Sequence, residues 1–285
     1  MRMLRSSRQK LELQQVERIL LRDENPVTER AESLFEQLQS AFQPLPEYGY
    51  DPVSVFRRAV DRTSDLLKLD QLVSPGAKGL DVGAGDGMLP MLLQTYGHDM
   101  TLIDVEDWRV EVAKGLKFVK ANCCNQLPFV DGTFDFIVSY NAFEHFPDPS
   151  RAFSEFIRIL RPGGLMHFRF NPLYCSPWGL HAYRMLRMPY PQFLFSKEFI
   201  ENRLKITGVW DLGKQSSQLQ PLNQWRPAQF ESLWQRSDLT VLTNEWQVDV
   251  GHLNMIRQYP ECFQGRGLTI EDLTKAGSIV TLLKV

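Results

Sequence analysis

The chain has 285 residues, of which 43% are hydrophobic, and its formal net charge at pH 7 is −2. This charge gives no general attraction to nucleic acid, and no apolar run approaches the roughly 20 residues that span a bilayer, so we expect neither a nucleic-acid partner nor stable membrane insertion. Charged residues stand where a signal peptide would have its apolar core, and the four cysteines have neither a disulfide nor a zinc spacing, which predicts a cytoplasmic protein.

Hydrophobic residues recur at helical spacing in three segments before the first predicted strand. They predict helices at about 8–22, 26–42 and 53–69. Together these helices make up an N-terminal helical extension, residues 1–75.

Short strand and helix patterns alternate over residues 76–170. The predicted strands lie near 78–82, 99–104, 116–120, 134–139 and 164–170, and the predicted helices near 87–96, 107–114 and 149–160. This alternation predicts right-handed crossovers and a parallel sheet with helices on both faces. Ligands of such sheets bind at the carboxyl ends of the strands, where Gly83, Asp104, Cys123 and Ser139 all fall.

The chain after residue 170 departs from this alternation. Residues 171–226 are dense in aromatic residues and prolines, which predicts either the core of a small subdomain or a cap over an apolar pocket for the substrate. A helix near 227–237 and strands near 239–247 and 277–285 then resume the core plan, so residues 227–285 complete the sheet with an insertion at about 248–276.

The segment from Gly79 to Gly87, Gly-Leu-Asp-Val-Gly-Ala-Gly-Asp-Gly, predicts a buried strand that ends in a glycine turn and opens a helix. Glycines let the backbone approach a ligand closely, and the N–H groups at a helix start supply donors. A dinucleotide fingerprint would have its third glycine at position 88, where this chain has Met88. Asp104 lies 17 residues after Gly87 at the end of the next strand, and its carboxylate suits the two hydroxyls of a ribose.

Three later blocks follow the glycine turn in order. They are Leu127-Pro128-Phe129, the strand Phe134 to Ser139 with the following Phe143-Glu144-His145, and Arg161-Pro162-Gly163-Gly164. With the glycine turn and Asp104, they resemble class I methyltransferases that depend on S-adenosyl-L-methionine (SAM), in the small-molecule group typified by ubiquinone and menaquinone biosynthesis. The resemblance covers residues 76–170 and implies an α/β fold: a Rossmann-like, seven-stranded, doubly wound sheet, mostly parallel, with a C-terminal antiparallel strand.

The resemblance also implies SAM as the cofactor and a set of residues that hold it. The glycine turn would line its methionine end, Asp81 would support that turn and the ammonium group, and Asp104 would hold the ribose. Val105 would lie against the adenine. Asn122 replaces an acid that often accepts from the adenine amino group, and its side-chain carbonyl can still accept. The expected cofactor-binding residues are Asp81, Gly83, Ala84, Gly85, Gly87, Asp104, Val105, Asn122, Cys123, Ser139 and Asn141.

Methyl transfer depends mainly on positioning, and a base near neutral pKa helps when the acceptor is a hydroxyl. His145 is one candidate base, because the family often has Glu-His near the acceptor at this place. Its alternative is a helix-terminus histidine bonded to a backbone carbonyl. His181, flanked by Trp178 and Tyr183, is the second candidate. We predict no metal, because Asn141 stands where another acid would be expected.

These features favour a methyltransferase that acts on a small molecule, partly apolar or aromatic, with O-methylation favoured over N- or C-methylation. A SAM-binding partner or sensor without turnover is one alternative, and an NAD-dependent oxidoreductase, against which Met88 argues, is another. A nucleic-acid methyltransferase lacks support, because no Asn-Pro-Pro-Tyr or Asp-Pro-Pro-Tyr tetrad follows the fourth strand. The oligomeric state stays open.

Overall fold

The computed structural model describes residues 7–28, 32–43, 45, 49–69, 75–182, 185–211, 214–216 and 218–285. The chain divides into two compact units. One, which we call the helical unit, comprises residues 1–47, 172–220 and 247–277. The other, the sheet unit, comprises residues 48–171, 221–246 and 278–285. The first two predicted helices therefore group with most of the aromatic-rich stretch, and the third belongs to the sheet unit.

The strands of the described residues, in chain order, are β1 (Lys78–Val82), β2 (Asp99–Asp104), β3 (Lys117–Lys120), β4 (Phe134–Tyr140), β5 (Leu160–Phe170), β6 (Val209–Asp211), β7 (Lys214–Ser216), β8 (Leu239–Val248) and β9 (Lys275–Lys284). The helices are α1 (Ser7–Leu20), α2 (Glu32–Ala41), α3 (Pro52–Leu66), α4 (Met88–Thr95), α5 (Pro149–Ile159), α6 (Pro191–Leu194), α7 (Lys197–Thr207), α8 (Pro227–Trp234), α9 (Leu253–Gln258), α10 (Pro260–Phe263) and α11 (Ile270–Thr274).

Seven of the described strands form the main sheet, in the order β3-β2-β1-β4-β5-β9-β8. Leu80 of β1 lies opposite Thr101 of β2 and Ile137 of β4 in parallel register. β9 runs antiparallel to β5, with Leu283 opposite Leu165. The order places β1 and β4 at the centre, where the strand order reverses and the sheet leaves a crevice at its carboxyl edge. The predicted fold class is confirmed.

Two helices of the sheet unit, α3 and α5, begin after an aspartate whose carboxylate accepts from their first N–H groups. The Asp51 carboxylate accepts from Val53 N–H and Ser54 N–H before α3, and the Asp148 carboxylate accepts from Arg151 N–H, 3.0 Å away, before α5. Each helix then has proline at its first position, where a missing N–H costs nothing. α4 instead follows the left-handed Gly87, and the Asp86 carboxylate accepts from its first N–H group, that of Met88, at 3.0 Å.

The helix predicted at 107–114 is wrong. The structure has only a short 3-10 turn at Glu111–Ala113. The Arg109 guanidinium donates to the carbonyl oxygens of Ala113, Lys114 and Leu116, and those acceptors hold the segment as a loop. Val110 N–H donates to Asp86 O at 3.0 Å, which fixes this loop against the glycine turn.

The helical unit has a core made largely of aromatic and aliphatic side chains. Tyr190, Phe263 and Phe195 are at most 1% exposed, and the ring of Phe263 contacts those of Tyr190 and Phe193. Tyr190, Phe193 and Phe195 of the 171–226 stretch thus belong, with Phe263, to the hydrophobic core of this unit. Among the described residues, we find no helix with the length and apolar character needed to cross a membrane.

Candidate functional site

Three glycines of the turn after β1 have left-handed backbone conformations, with φ of +69° at Gly83, +51° at Gly85 and +75° at Gly87. A Cβ at Gly83 would lie 2.4 Å from the Cβ of Ala142, so the turn also packs against the loop after β4. A Cβ at Gly85 would meet nothing within 4 Å. The turn is therefore packed against protein at Gly83 and has open space beside Gly85, where a ligand could approach the backbone closely.

Backbone hydrogen bonds tie this turn to the end of β2. The N–H groups of Gly83 and Ala84 donate to Ile103 O, at 2.9 and 3.3 Å. Gly85 N–H donates to Oδ2 of Asp104 at 3.0 Å. The two strand ends that the sequence predicts to meet are thus joined directly through Gly85 and Asp104.

Asp104 is a partly buried carboxylate with acceptor capacity to spare. Its Oδ1 accepts from Val105 N–H at 2.7 Å and its Oδ2 from Gly85 N–H. Burial raises the pKa of Asp104, and these hydrogen bonds oppose the rise. The N–H group of Glu106 also lowers the pKa of Asp104. A carboxylate has about four acceptor positions, so these backbone donors still leave room for a hydroxyl donor of a ligand. The Val105 side chain beside it is 55% exposed and presents an apolar surface.

Asp81 lies close to two other acidic residues, Asp86 and Asp104. The residue is 3% exposed, and burial raises the pKa of Asp81 to about 7, with the Arg62 guanidinium opposing the rise and Asp86 and Asp104 adding to it. Oδ2 of Asp86 lies 3.6 Å from Nη2 of Arg58. Three neighbouring acids favour a cationic ligand. SAM carries a sulfonium, an ammonium and a ribose, so the turn, the acids and Asp104 fit this group.

Asn141 follows β4 in a left-handed conformation, with φ of +53°, which costs energy for any residue other than glycine. Its amide holds it there: Nδ2 donates to Oδ1 of Asn171 at 2.9 Å, and Oδ1 accepts from Nη2 of Arg62 at 3.0 Å. Ser139, two residues earlier in β4, is 1% exposed, and its hydroxyl donates to Val82 O at 2.8 Å. The Ser139 side chain thus ties β4 to β1.

Arg62 is a residue that the motif analysis missed. It lies on α3, and its guanidinium sits 4.9 Å from the centre of the Tyr140 ring as well as bonding Asn141. Arg58, one turn earlier, is the partner of Asp86. Helical spacing could have indicated that the two arginines lie together. Arg58 and Arg62 are four residues apart on α3 and adjoin its buried positions Val55 and Ala59.

The loop after β3 carries the residues predicted for adenine. Oδ1 of Asn122 accepts from Cys124 N–H at 2.9 Å, and Ala121 N–H donates to Asp104 O at 2.9 Å. The loop after β3 is therefore hydrogen-bonded to Asp104, the residue predicted to hold the ribose. Cys123 is buried, and its hydrogen bond to Cys124 together with burial raises the pKa of its thiol.

The 3-10 turn Phe143–His145 carries two ionisable groups. Nδ1 of His145 lies 2.9 Å from Pro221 O. Because a carbonyl only accepts, Nδ1 carries the proton and Nε2 is the nitrogen able to take one up. Glu144 is 2% exposed, and burial raises the pKa of its carboxyl to about 8, with the N–H groups of Glu144 and Asn171 and the Arg62 charge opposing the rise.

His181 belongs to the helical unit. It has φ of +56°, and its Nε2 lies 2.8 Å from Pro172 O, so Nε2 carries the proton. The backbone N–H of His181 donates to the carbonyl oxygen of Trp178. The centre of the Trp178 ring lies 5.2 Å from the centre of the His252 ring. Tyr183, the other predicted neighbour, lies outside the described residues. The catalytic and cofactor roles of all these residues stay predictions.

Residues 80–168 match the family model described as a methyltransferase domain. The chain is 30% identical over 140 residues to an uncharacterized methyltransferase of Mycobacterium sp. (strain JLS), with 46% of this chain and 55% of the relative covered. It is 28% identical over 149 residues to 2-methyl-6-phytyl-1,4-hydroquinone methyltransferase 1, chloroplastic, of Oryza sativa subsp. japonica, with 50% and 44% covered.

The chain is also 28% identical over 158 residues to a sterol 24-C-methyltransferase of Gibberella zeae, with 48% of this chain and 41% of the relative covered. The chain thus spans about half the length of the curated relatives it matches. The match lies on the central strands and includes the glycine turn, Asp104 and the turn at His145. Residues 80–168 are therefore a class I SAM-dependent methyltransferase domain, and SAM is its cofactor.

Proposed function

We propose that the protein transfers a methyl group from SAM to a small-molecule acceptor that is partly apolar or aromatic. The observation that carries this proposal is the left-handed glycine turn, open at Gly85 and hydrogen-bonded to the Asp104 carboxylate, within a methyltransferase domain. This arrangement supplies both a close backbone approach and a ribose acceptor at one sheet edge.

When bound, SAM supplies a methyl group activated by its positive sulfur, so the chain mainly has to position the reactants. In this proposal Gly83, Ala84, Gly85 and Gly87 line the methionine end, and Asp81 faces its ammonium group. Asp104 holds the ribose. Val105, Asn122 and Cys123 surround the adenine, and Ser139 and Asn141 complete the edge on the side of β4.

The names of two relatives support the proposed chemical class of the acceptor. Two relatives are named for a phytyl-substituted hydroquinone and for a sterol, and both molecules are large and mostly apolar. An acceptor of this kind with a hydroxyl at its reacting end fits His145, because the bond to Pro221 O leaves Nε2 as the proton-accepting nitrogen. We therefore propose a hydroxyl as the first acceptor to test. Methylation at carbon, as in the sterol relative's name, is the second.

The test begins with calorimetric titration of the protein with SAM, S-adenosylhomocysteine and NAD. Saturable binding of the first two alone supports the proposal, and binding of NAD alone identifies an oxidoreductase. The second step incubates the protein with methyl-labelled SAM and hydroquinones or sterols of increasing apolar length. SAM binding without transfer to any acceptor would favour a partner or sensor protein.

His145 is tested by the same assay. The variants His145→Ala and His145→Gln should keep SAM affinity and lower turnover, by about 10²–10⁴-fold for loss of a general base. Equal losses of SAM affinity and turnover would make His145 a structural residue instead.

A further inference from the structure

Residues 221–225, which we call the return segment, lead the chain back into the sheet unit just before α8. Within this segment, Asn223 contacts the turn that carries His145. The backbone N–H of Asn223 donates to Glu144 O at 3.0 Å, and Nδ2 of Asn223 donates to Phe143 O at 2.8 Å. Asn223 therefore holds both of the carbonyl groups that directly precede His145 in the chain.

The return segment is itself fixed in one conformation. Oδ1 of Asn223 accepts from Trp225 N–H at 3.0 Å, and Gln224 between these two residues has a left-handed backbone, with φ of +59°. The centre of the Trp225 ring lies 5.3 Å from that of Phe230 in α8. A left-handed conformation costs energy for a residue other than glycine, so it persists only where the surroundings impose it. Here the Asn223 side chain and the Trp225 ring provide those surroundings.

The turn at His145 is also anchored in the core of the sheet unit. Phe143 is fully buried, and the centre of its ring lies 5.3 Å from that of Phe168 in β5 and 5.5 Å from that of Phe230. The Phe143 ring and the hydrogen bonds from Asn223 thus hold the same turn, the first through the core and the second through the return segment.

The return segment also supplies the acceptor for the proton of His145. Pro221 O, 2.9 Å from Nδ1 of His145, lies two residues before Asn223. A neutral histidine accepts a proton at one ring nitrogen while the other carries one, and the partner of the protonated nitrogen decides which is which. If Pro221 moved relative to the turn, the proton could pass to Nε2, and the proposed base would be lost.

We propose that Asn223 is a positioning residue for methyl transfer. By joining the turn to the return segment, it keeps the proton of His145 on Nδ1, bonded to Pro221 O, and keeps Nε2 as the nitrogen that takes up the proton of the acceptor hydroxyl. This inference rests on the proposed function, in which His145 is the base. A group that holds a basic histidine in one tautomer contributes to turnover, whereas the contacts that bind the cofactor do not depend on it.

The first measurement reads the tautomer of His145 by NMR, in protein labelled with ¹⁵N-histidine and at a pH where the ring is neutral. The variant His145→Gln assigns the signals. The unchanged protein should show a protonated Nδ1 and an unprotonated Nε2. Asn223→Ala removes the donor to Phe143 O and the acceptor for Trp225 N–H, so the two nitrogen shifts should move towards each other as the tautomers mix.

The control is Asn244→Ala, at an exposed residue of β8 in the same unit, which should keep the tautomer. If circular dichroism shows that Asn223→Ala is unfolded, Asn223→Asp decides, because its carboxylate keeps the acceptor for Trp225 N–H and cannot donate to Phe143 O. A protonated Nε2 in the unchanged protein, or an unchanged tautomer in a folded Asn223 variant, overturns the proposal.

The second measurement compares methyl transfer and calorimetric SAM affinity in the same variants. Asn223→Ala should lower kcat about 10–100-fold, as for a reacting group displaced by about 1 Å, and should leave SAM affinity unchanged. In the His145→Gln background, the same change should cost no further turnover, because the two residues act as a unit. A full additional loss in that background, or an equal fall in SAM affinity, overturns the proposal. If the unchanged protein binds SAM but methylates no acceptor, the proposed function fails, while the tautomer measurement still decides whether Asn223 positions His145.

Discussion

The two units bury polar groups in different ways. In the helical unit, two buried polar side chains bond backbone carbonyls: Gln192 donates to the carbonyls of Tyr174 and Ser176, and Tyr190 donates to Leu273 O. In the sheet unit, Asp81 and Glu144 are buried carboxyls whose pKa values burial raises to about 7 and about 8. Burial of a carboxyl without a partner costs folding free energy, and such groups are common at functional sites. The difference agrees with the proposed site at the strand ends of the sheet unit.

The largest expected effect is on the hydrophobic core of the helical unit. Phe263 is fully buried against Tyr190 and Phe193, so Phe263→Ala should lower the free energy of unfolding by about 3–5 kcal/mol through lost burial and a cavity. Urea denaturation followed by circular dichroism measures it. Leu21→Ala in the same unit, at a side chain that is 83% exposed, should stay within about 0.5 kcal/mol. Similar losses in both variants would contradict the assignment of Phe263 to the core.

The second prediction separates the cost of backbone strain from the cost of a steric clash within the glycine turn. Gly83→Ala introduces a side chain at a left-handed position and a clash with Ala142, so it should lose about 2–4 kcal/mol of stability. Gly85→Ala has the strain but open space, and should lose only about 1–2 kcal/mol. Because that open space is the proposed cradle, Gly85→Ala should lose SAM affinity while still folded. Full SAM affinity in folded Gly85→Ala would exclude Gly85 from the cofactor site.

The glycine turn and Asp104 could be predicted from sequence because their chemistry is local. A left-handed turn requires glycine at fixed spacing, and the strand after it ends in an acid, so residue type and position suffice. Arg62 could not be predicted in this way, because its guanidinium reaches Asn141 across 79 positions in the sequence. The segment 107–114 has a sequence that also suits a helix, and only the tertiary bonds of Arg109 and Val110 decide against one.

The third prediction compares the two ends of one strand. Asp104→Ala should weaken SAM binding by about 1.5–3 kcal/mol, the range for a hydrogen bond to a charged group. Asp99, at the other end of β2, pairs with Lys117 on the exposed surface, so Asp99→Ala should leave SAM affinity unchanged and stability within about 1 kcal/mol. Calorimetry measures both affinities. Equal affinities in the two variants would remove Asp104 from the site.

The smallest effect concerns the pH dependence of the sheet unit's stability. Burial raises the pKa of Glu144 from 4.5 to about 8 in the folded chain, so between these values the folded state holds a proton that the unfolded state releases. The resulting stabilisation is complete below pH 4.5 and is lost as pH rises through 8, at no more than about 1.4 kcal/mol per pH unit.

The side chain introduced by Glu144→Gln cannot ionise. The free energy of unfolding of this variant should therefore fall less steeply than that of the unchanged protein, and the two slopes should differ by about 1 kcal/mol per pH unit between pH 6 and 7. Asp81 has its shift in the same direction, but it is present in both proteins and cancels from the difference. Urea midpoints at pH 6 and 7 for both proteins provide the comparison. Parallel pH profiles would mean that Glu144 is ionised in the folded chain, and that burial at this strand end does not set its charge.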